Sequence, residues 1–473
     1  MRLSRNNFFI LCFEFLLLAA VIYIPHQYAP QAYIVVANIF VVLTIIRIIK
    51  EGFRDVPLFF FNITYWIFVL GGCTVSLIQR RSISEYIAVS LTNDQLVLSC
   101  GIALFGIASL DIIYYFFKIE RSSSDICGAD SRGATKFQKQ FIVLIFLVSS
   151  ICKLAMAVEI MMYSTEFGYV SLYTREASNL PSLIRYLGAF FYFSLMLFLS
   201  CNFSKRATYM AFGLVGMIEV IILSSGDRGE AVCGILVLII YTIFRCRKSP
   251  DFLVHKKLAV FILLCFLPAF VFLLQAIKYI RVGNTADISF WNGVFEFFES
   301  QGVSINIIAN DIKYQNEISE IGGHTFVFNQ IVSYLQQNIL FRTIFGFKKI
   351  AGNTIEMATS GFSLGSTIMY ITLPDSYFRG IGCGTCYLAE LYQDARWFGL
   401  MIGTIIVARL LDWIRKIDQE KWVMSAMMLN CMRIVLVLPR GGFFRWLTEM
   451  LSIPNMILLL AIYTLGHFQK RRK

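Results

Sequence analysis

The amino-acid sequence predicts an all-α polytopic membrane protein with about twelve transmembrane helices and one long extracytoplasmic loop between spans nine and ten. Three observations carry this expectation. Of the 473 residues, 57% are hydrophobic and 15% charged, whereas soluble domains carry about 25% charge. A soluble core cannot absorb that much apolar surface. The apolar residues also fall in continuous runs of span length, without the alternation of a barrel strand. Finally, Lys and Arg gather in every second connection, as they do on the cytoplasmic side of membrane proteins.

In order, the expected spans are 8–24, 33–49, 57–78, 95–117, 141–162, 183–201, 208–223, 230–244, 258–280, 397–414, 423–438 and 451–467. Three regions follow: helices one to nine over 1–280, a periplasmic loop over 281–396, and helices ten to twelve over 397–473. With both termini cytoplasmic, the inner segments hold Arg2, Arg5, Lys50, Arg54, Lys118, Lys136, Lys139, Arg245, Arg247, Lys248, Arg415 and Lys416. The short outer loops hold few cations, among them Arg80, Arg81, Arg175, Arg228, Arg440 and Arg445. The net charge of +12 therefore reads as membrane topology and not as nucleic-acid binding. Most of the twelve cysteines lie in apolar runs and read as small packing residues. The first run follows a basic start and lacks a small-residue cleavage site, so an uncleaved first helix is expected. Inside the spans, Glu14, Asp111, Lys153, Glu159 and Glu219 are costly in lipid and should face the bundle interior, with Lys153 paired to one of the acids.

Outer-face polar residues are the candidates for chemistry. Arg228 sits in a tight Ser-Gly-Asp-Arg-Gly-Glu turn, and Arg440 and Arg445 flank Gly441 and Gly442. Guanidinium groups fork onto phosphate oxygens, so the three could surround one pyrophosphate; interfacial arginines that reach lipid headgroups are the plainer reading. Arg379 belongs with them as a further diphosphate candidate. Glu390 and Asp394 stand one helical turn apart, and either could take a proton from a hydroxyl, or simply cap or anchor a helix. His324 is a third possible base or an ordinary surface histidine. Glu299, Gln301 and Ser304 lie beside aromatics and suit sugar hydroxyls, unless the stretch is a helix end. Cys383 and Cys386 have CxxC spacing, which alone favours small fillers over a redox pair.

The Ser-Gly-Asp-Arg-Gly-Glu turn, the Glu-Ser-Gln-Gly-Val-Ser stretch and the Gly-rich run into Leu388-Ala389-Glu390-Leu391-Tyr392, with Gly399 beyond, together resemble the Wzy-type O-antigen (oligosaccharide repeat unit) polymerases of bacterial envelopes. The span layout and the long loop resemble that family too. One departure is Cys383, Thr385 and Cys386, where Gly and Ser are expected. The resemblance implies a glycosyltransferase of the bacterial inner membrane. The non-reducing sugar of one undecaprenyl-diphosphate-linked unit would attack the anomeric carbon of another glycan, and the lipid diphosphate would leave. Arg228, Arg440, Arg445 and Arg379 would hold the diphosphate; Glu390, Asp394 or His324 would serve as base; Glu299, Gln301 and Ser304 would meet the glycan. No cofactor and no metal site are expected, membrane lipid is a partner, and a chain-length-regulating membrane protein is a possible one. O-antigen ligase shares the layout. A lipid-linked oligosaccharide flippase is a competing class, against which the 281–396 insert speaks.

Overall fold

The computed structural model describes residues 5–120, 133–168, 171–174, 178–225, 228–253, 268–276, 289–323, 325–417 and 420–471, and among these the regular secondary structure is all helical, with no strands. Eight helices among the described residues are long and apolar enough to cross a membrane: His26–Lys50, Val56–Ile78, Asn93–Lys118, Lys136–Phe167, Ser182–Ser200, Lys205–Ser225, Tyr387–Arg415 and Trp422–Arg440. They cover the second to seventh, tenth and eleventh expected spans. The apolar stretches Ile10–Ile22 and Ile453–His467 are shorter. The helix over the eighth expected span is Arg228–Lys248, which ends in Arg245, Arg247 and Lys248. Most of the ninth, 258–280, lies outside the described residues.

Local sequence explains several boundaries. Lys136–Phe167 starts at Thr135, whose hydroxyl accepts from the Gln138 amide while the Gln138 side chain accepts from the Thr135 amide; this reciprocal capping fixes a helix start. Between Val56–Tyr65 and Gly71–Ile78 the chain makes a π-helical turn, Trp66–Leu70. Such turns leave the regular ladder, and here the Trp66 indole donates to Asn38 Oδ1 at 2.7 Å.

The chain divides into two compact units that interleave in sequence. One comprises Met1–Asp125, Ser289–Arg415 and Leu436–Thr448; the other comprises Ile126–Ile288, Lys416–Val435 and Glu449–Lys473. In the first, the Asn93–Glu120 helix is central and packs on Ala29–Lys50 and Tyr387–Arg415. Two buried acids of its long helices are paired, though not to Lys153. Glu14 meets Arg47 at 2.5 Å, and Asp111 accepts from Thr44 and from Asn62, the latter at 3.2 Å. In the second unit, Lys136–Phe167 packs on Ser182–Ala189, Phe191–Ser200 and Lys205–Ser225. There Lys153 lies over the Tyr192 ring, and the Tyr192 hydroxyl reaches Glu219 at 3.2 Å.

The segment expected as one loop is built of short helices. Phe290–Gln301 and Phe326–Gln337 have 12 residues each, and between them lie Ser304–Lys313 and Gln315–Gly322. None approaches the roughly 20 residues that a crossing needs. Their inward faces are apolar, with Ile305, Ile307, Ile308 and Phe326 fully or almost fully buried. The segment is therefore folded onto the first unit.

Candidate functional site

The first unit gathers three of the sequence motifs around Glu390. This residue lies in the first turn of Tyr387–Arg415 and is 1% exposed. Its Oε1 accepts from the Thr385 hydroxyl at 2.7 Å. Its Oε2 accepts from the Phe443 amide at 2.9 Å and from the Gln330 side-chain amide. Every donor is neutral, and no cation pairs with Glu390 among the described residues. A buried carboxyl fixed by neutral donors is oriented while keeping its capacity to take a proton.

Gln330 is the hinge of this arrangement. Its Nε2 donates to Glu390, and its Oε1 accepts from the Phe444 amide at 2.8 Å. The Pro439–Arg445 connection is thus pinned from two sides. Gly442 allows this approach, because a Cβ there would stand 2.3 Å from Gln330 Nε2. In the same connection, Arg440 donates to Gln301 Oε1 at 2.6 Å, which ties in the 299–304 stretch. Glu299 accepts from Arg81, and its backbone oxygen accepts from the Tyr86 hydroxyl at 2.8 Å. Ser304 is buried, and its hydroxyl has no hydrogen-bond partner among the described residues.

Asp394 has a different task. Its two oxygens accept from the Phe326 and Val327 amides, at 2.9 and 2.8 Å. These are the first amides of Phe326–Gln337, whose own N-cap, Thr325, makes no side-chain cap. The carboxylate thus satisfies orphan donors at a helix start. Arg379 is exposed just past the short helix Pro374–Phe378, and Arg445 is exposed at the start of Arg445–Met450. Arg228 opens Arg228–Lys248 in the second unit, but its side chain lies outside what is described, as does all of His324. Cys383 and Cys386 are free thiols, and burial pushes them up to about 11 and about 12, far from a reactive thiolate.

Three residues of this region carry no sequence signal. Gln330 is an ordinary polar position of an amphipathic helix. Asp311, on Ser304–Lys313, is 1% exposed, and neither carboxyl oxygen has a partner among the described residues. Burial drives its carboxyl well above the usual range, with Arg396 opposing and Asp394 and Glu390 reinforcing the shift. Arg396 lies where the long helix breaks. Thr385 was visible as a departure from the expected pattern, and it supplies the hydroxyl that a serine would.

The sequence model of the O-antigen polysaccharide polymerase Wzy family matches residues 6–473. The chain belongs to that family. No curated protein and no solved structure matches significantly. Membership in the Wzy family makes this a multi-pass membrane protein of glycosyltransferase-type polymerisation, acting on lipid-linked oligosaccharide repeat units. Among the described residues no group of three or more His, Cys, Asp or Glu could hold a metal ion.

Proposed function

We propose that the chain joins undecaprenyl-diphosphate-linked repeat units on the outer face of the bacterial inner membrane, with Glu390 as the base. The observation that supports this most is the Glu390 carboxyl itself, buried, oriented by Thr385, Gln330 and the Phe443 amide, and without a cation partner among the described residues. In the reaction, the acceptor O–H bond breaks and its proton passes to Glu390. The oxygen forms a bond to the anomeric carbon, and the carbon–oxygen bond to the diphosphate breaks with its electron pair on the phosphate. A base near the hydroxyl contributes about 10²–10⁴-fold. Arg440 bonds to the Gln301 stretch from the same connection whose Phe443 amide meets Glu390, so it is the diphosphate candidate best tied to this site. Arg228, Arg379 and Arg445 remain further candidates for diphosphate, and Glu299, Gln301 and Ser304 for glycan. Asp394, as a helix cap, is the weaker base.

The topology belongs to the same proposal: twelve crossings, both termini cytoplasmic, 281–396 periplasmic, and a chain-length-regulating protein as a partner. The excess of Lys and Arg in alternate connections supports it. Glu390→Gln keeps the shape and removes the base. Purified variant should lose at least about 10²-fold in polymerisation while still binding lipid-linked units. A normal glycan ladder from cells carrying Glu390→Gln removes Glu390 from the reaction.

A further inference from the structure

The helix that carries Glu390 is broken at one place, and the residue in the break is an arginine. Ala395 has φ −148° and ψ 23°, and Arg396 has φ 53° and ψ −141°. At positive φ a Cβ crowds the backbone, and this corner of conformational space suits glycine. The backbone alone would select glycine at 396. An arginine held there points to a use for its side chain.

That side chain is exposed, with its guanidinium 5.1 Å from the centre of the Tyr392 ring. It makes no hydrogen bond or ion pair among the described residues. Asp311, Asp394 and Glu390 are close enough for mutual electrostatic influence, yet none claims it. Asp394 is occupied by two amides and Glu390 by its neutral donors, while Asp311 is buried. Immediately beyond, Trp397 and Phe398 are 45% and 71% exposed. The guanidinium thus stands at the edge of an outward apolar surface, the level at which aromatic belts and headgroups meet. A prenyl diphosphate carries its charge at that same level, with its chain along the apolar surface.

We propose that Arg396 binds a phosphate of the lipid-linked diphosphate, held towards it by the strained break in the helix. This rests on the polymerase reading of the Glu390 site. The guanidinium fork matches phosphate oxygens, and its charge stabilises the electron pair that the diphosphate takes as the carbon–oxygen bond breaks.

Two substitutions separate this from a structural role. Arg396→Gly removes the cation and relieves the backbone; Arg396→Ala removes the cation and leaves the strain. Both should lower kcat/KM for the lipid-linked donor by at least about tenfold, and Arg396→Lys should recover little of it. Only Arg396→Gly should melt at a higher temperature than the parent protein. Farnesyl diphosphate should inhibit the parent protein and inhibit both variants far less. Unchanged kcat/KM or unchanged inhibition in Arg396→Gly overturns the proposal. So does a lower melting temperature restored by anionic phospholipid, which would mark a contact with bulk headgroups. An active Arg396→Gly beside an inactive Glu390→Gln sinks the phosphate assignment alone, whereas two active variants sink the reading of the site as well.

Discussion

Glu14 and Asp111 lie among the long apolar helices, Glu390 and Asp311 among or beside the short ones, and all four are 1% exposed or less. Their partners differ in kind. Glu14 is matched by the Arg47 guanidinium at 2.5 Å, which also lies 4.0 Å over the Tyr115 ring. Asp111 accepts from Thr44 and Asn62. Nearby, Asp55 accepts from Lys118 at 2.7 Å and from Tyr114 at 2.9 Å. Glu14 and Asp55 are thus bonded to cations, whereas Glu390, like Asp111, meets neutral donors, and Asp311 meets none among the described residues. A buried acid bonded to a cation is spent on holding helices together. An acid bonded to neutral groups, or to nothing, keeps its proton chemistry available.

The largest effect should come from the paired group. Arg47→Ala leaves the Glu14 carboxyl buried without its cation, and breaking one side of such a pair costs about 3–5 kcal/mol. Unfolding of the purified protein in detergent should show this loss. Replacing both members, Glu14→Leu with Arg47→Met, should recover most of it, since apolar pairs of similar volume substitute well for buried ion pairs. If the double variant is as unstable as the single, the pair has another task and the contrast with Glu390 weakens.

Asp311 should respond in the opposite direction. Its folded-state proton affinity is raised by burial, so the native state binds more protons than the unfolded chain. Stability from this group is fully present below the ordinary aspartate range and is lost as pH rises towards the raised value. The slope is about 1.4 kcal/mol per pH unit while the difference persists. Asp311→Asn cannot ionise, so its stability relative to the parent should grow as pH is raised from 4 towards neutrality. Unfolding of both proteins over that range checks it; parallel curves would show that Asp311 has a compensating partner.

These contrasts mark how much was legible in the sequence. Long apolar runs declared most of the helices, because lipid leaves a chain little choice but to satisfy its own backbone. Eight spans are seen among the described residues, and the count of twelve is a proposal. Glu390 was legible as a candidate through its Gly-rich approach, and so were Gln301 and Arg440, though not that they touch. Gln330 and Asp311 were invisible, since a glutamine or aspartate on a short amphipathic helix looks like a solvated face. Arg396 was read only as the end of a loop, because a positive φ at a non-glycine residue leaves no trace in composition. Lys153 was expected near an acid by charge alone; that the Tyr192 ring lies under it and reaches Glu219 was not legible.

The smallest expected effect distinguishes the two carboxylates that share one helix. Glu390 and Asp394 are a turn apart, yet Asp394 is bonded to the Phe326 and Val327 amides. Asp394→Ala should cost about 1 kcal/mol, the usual value of a lost helix cap, and Asp394→Asn less, because its amide oxygen still accepts one bond. Phe326–Gln337 carries Gln330, so a frayed start would loosen the donor to Glu390 and lower turnover modestly in step with stability. Asp394→Ser, a shorter acceptor, should recover part of both. A loss of turnover in Asp394→Asn as deep as that of Glu390→Gln, with stability unchanged, would make Asp394 the base and reverse the order of the two acids.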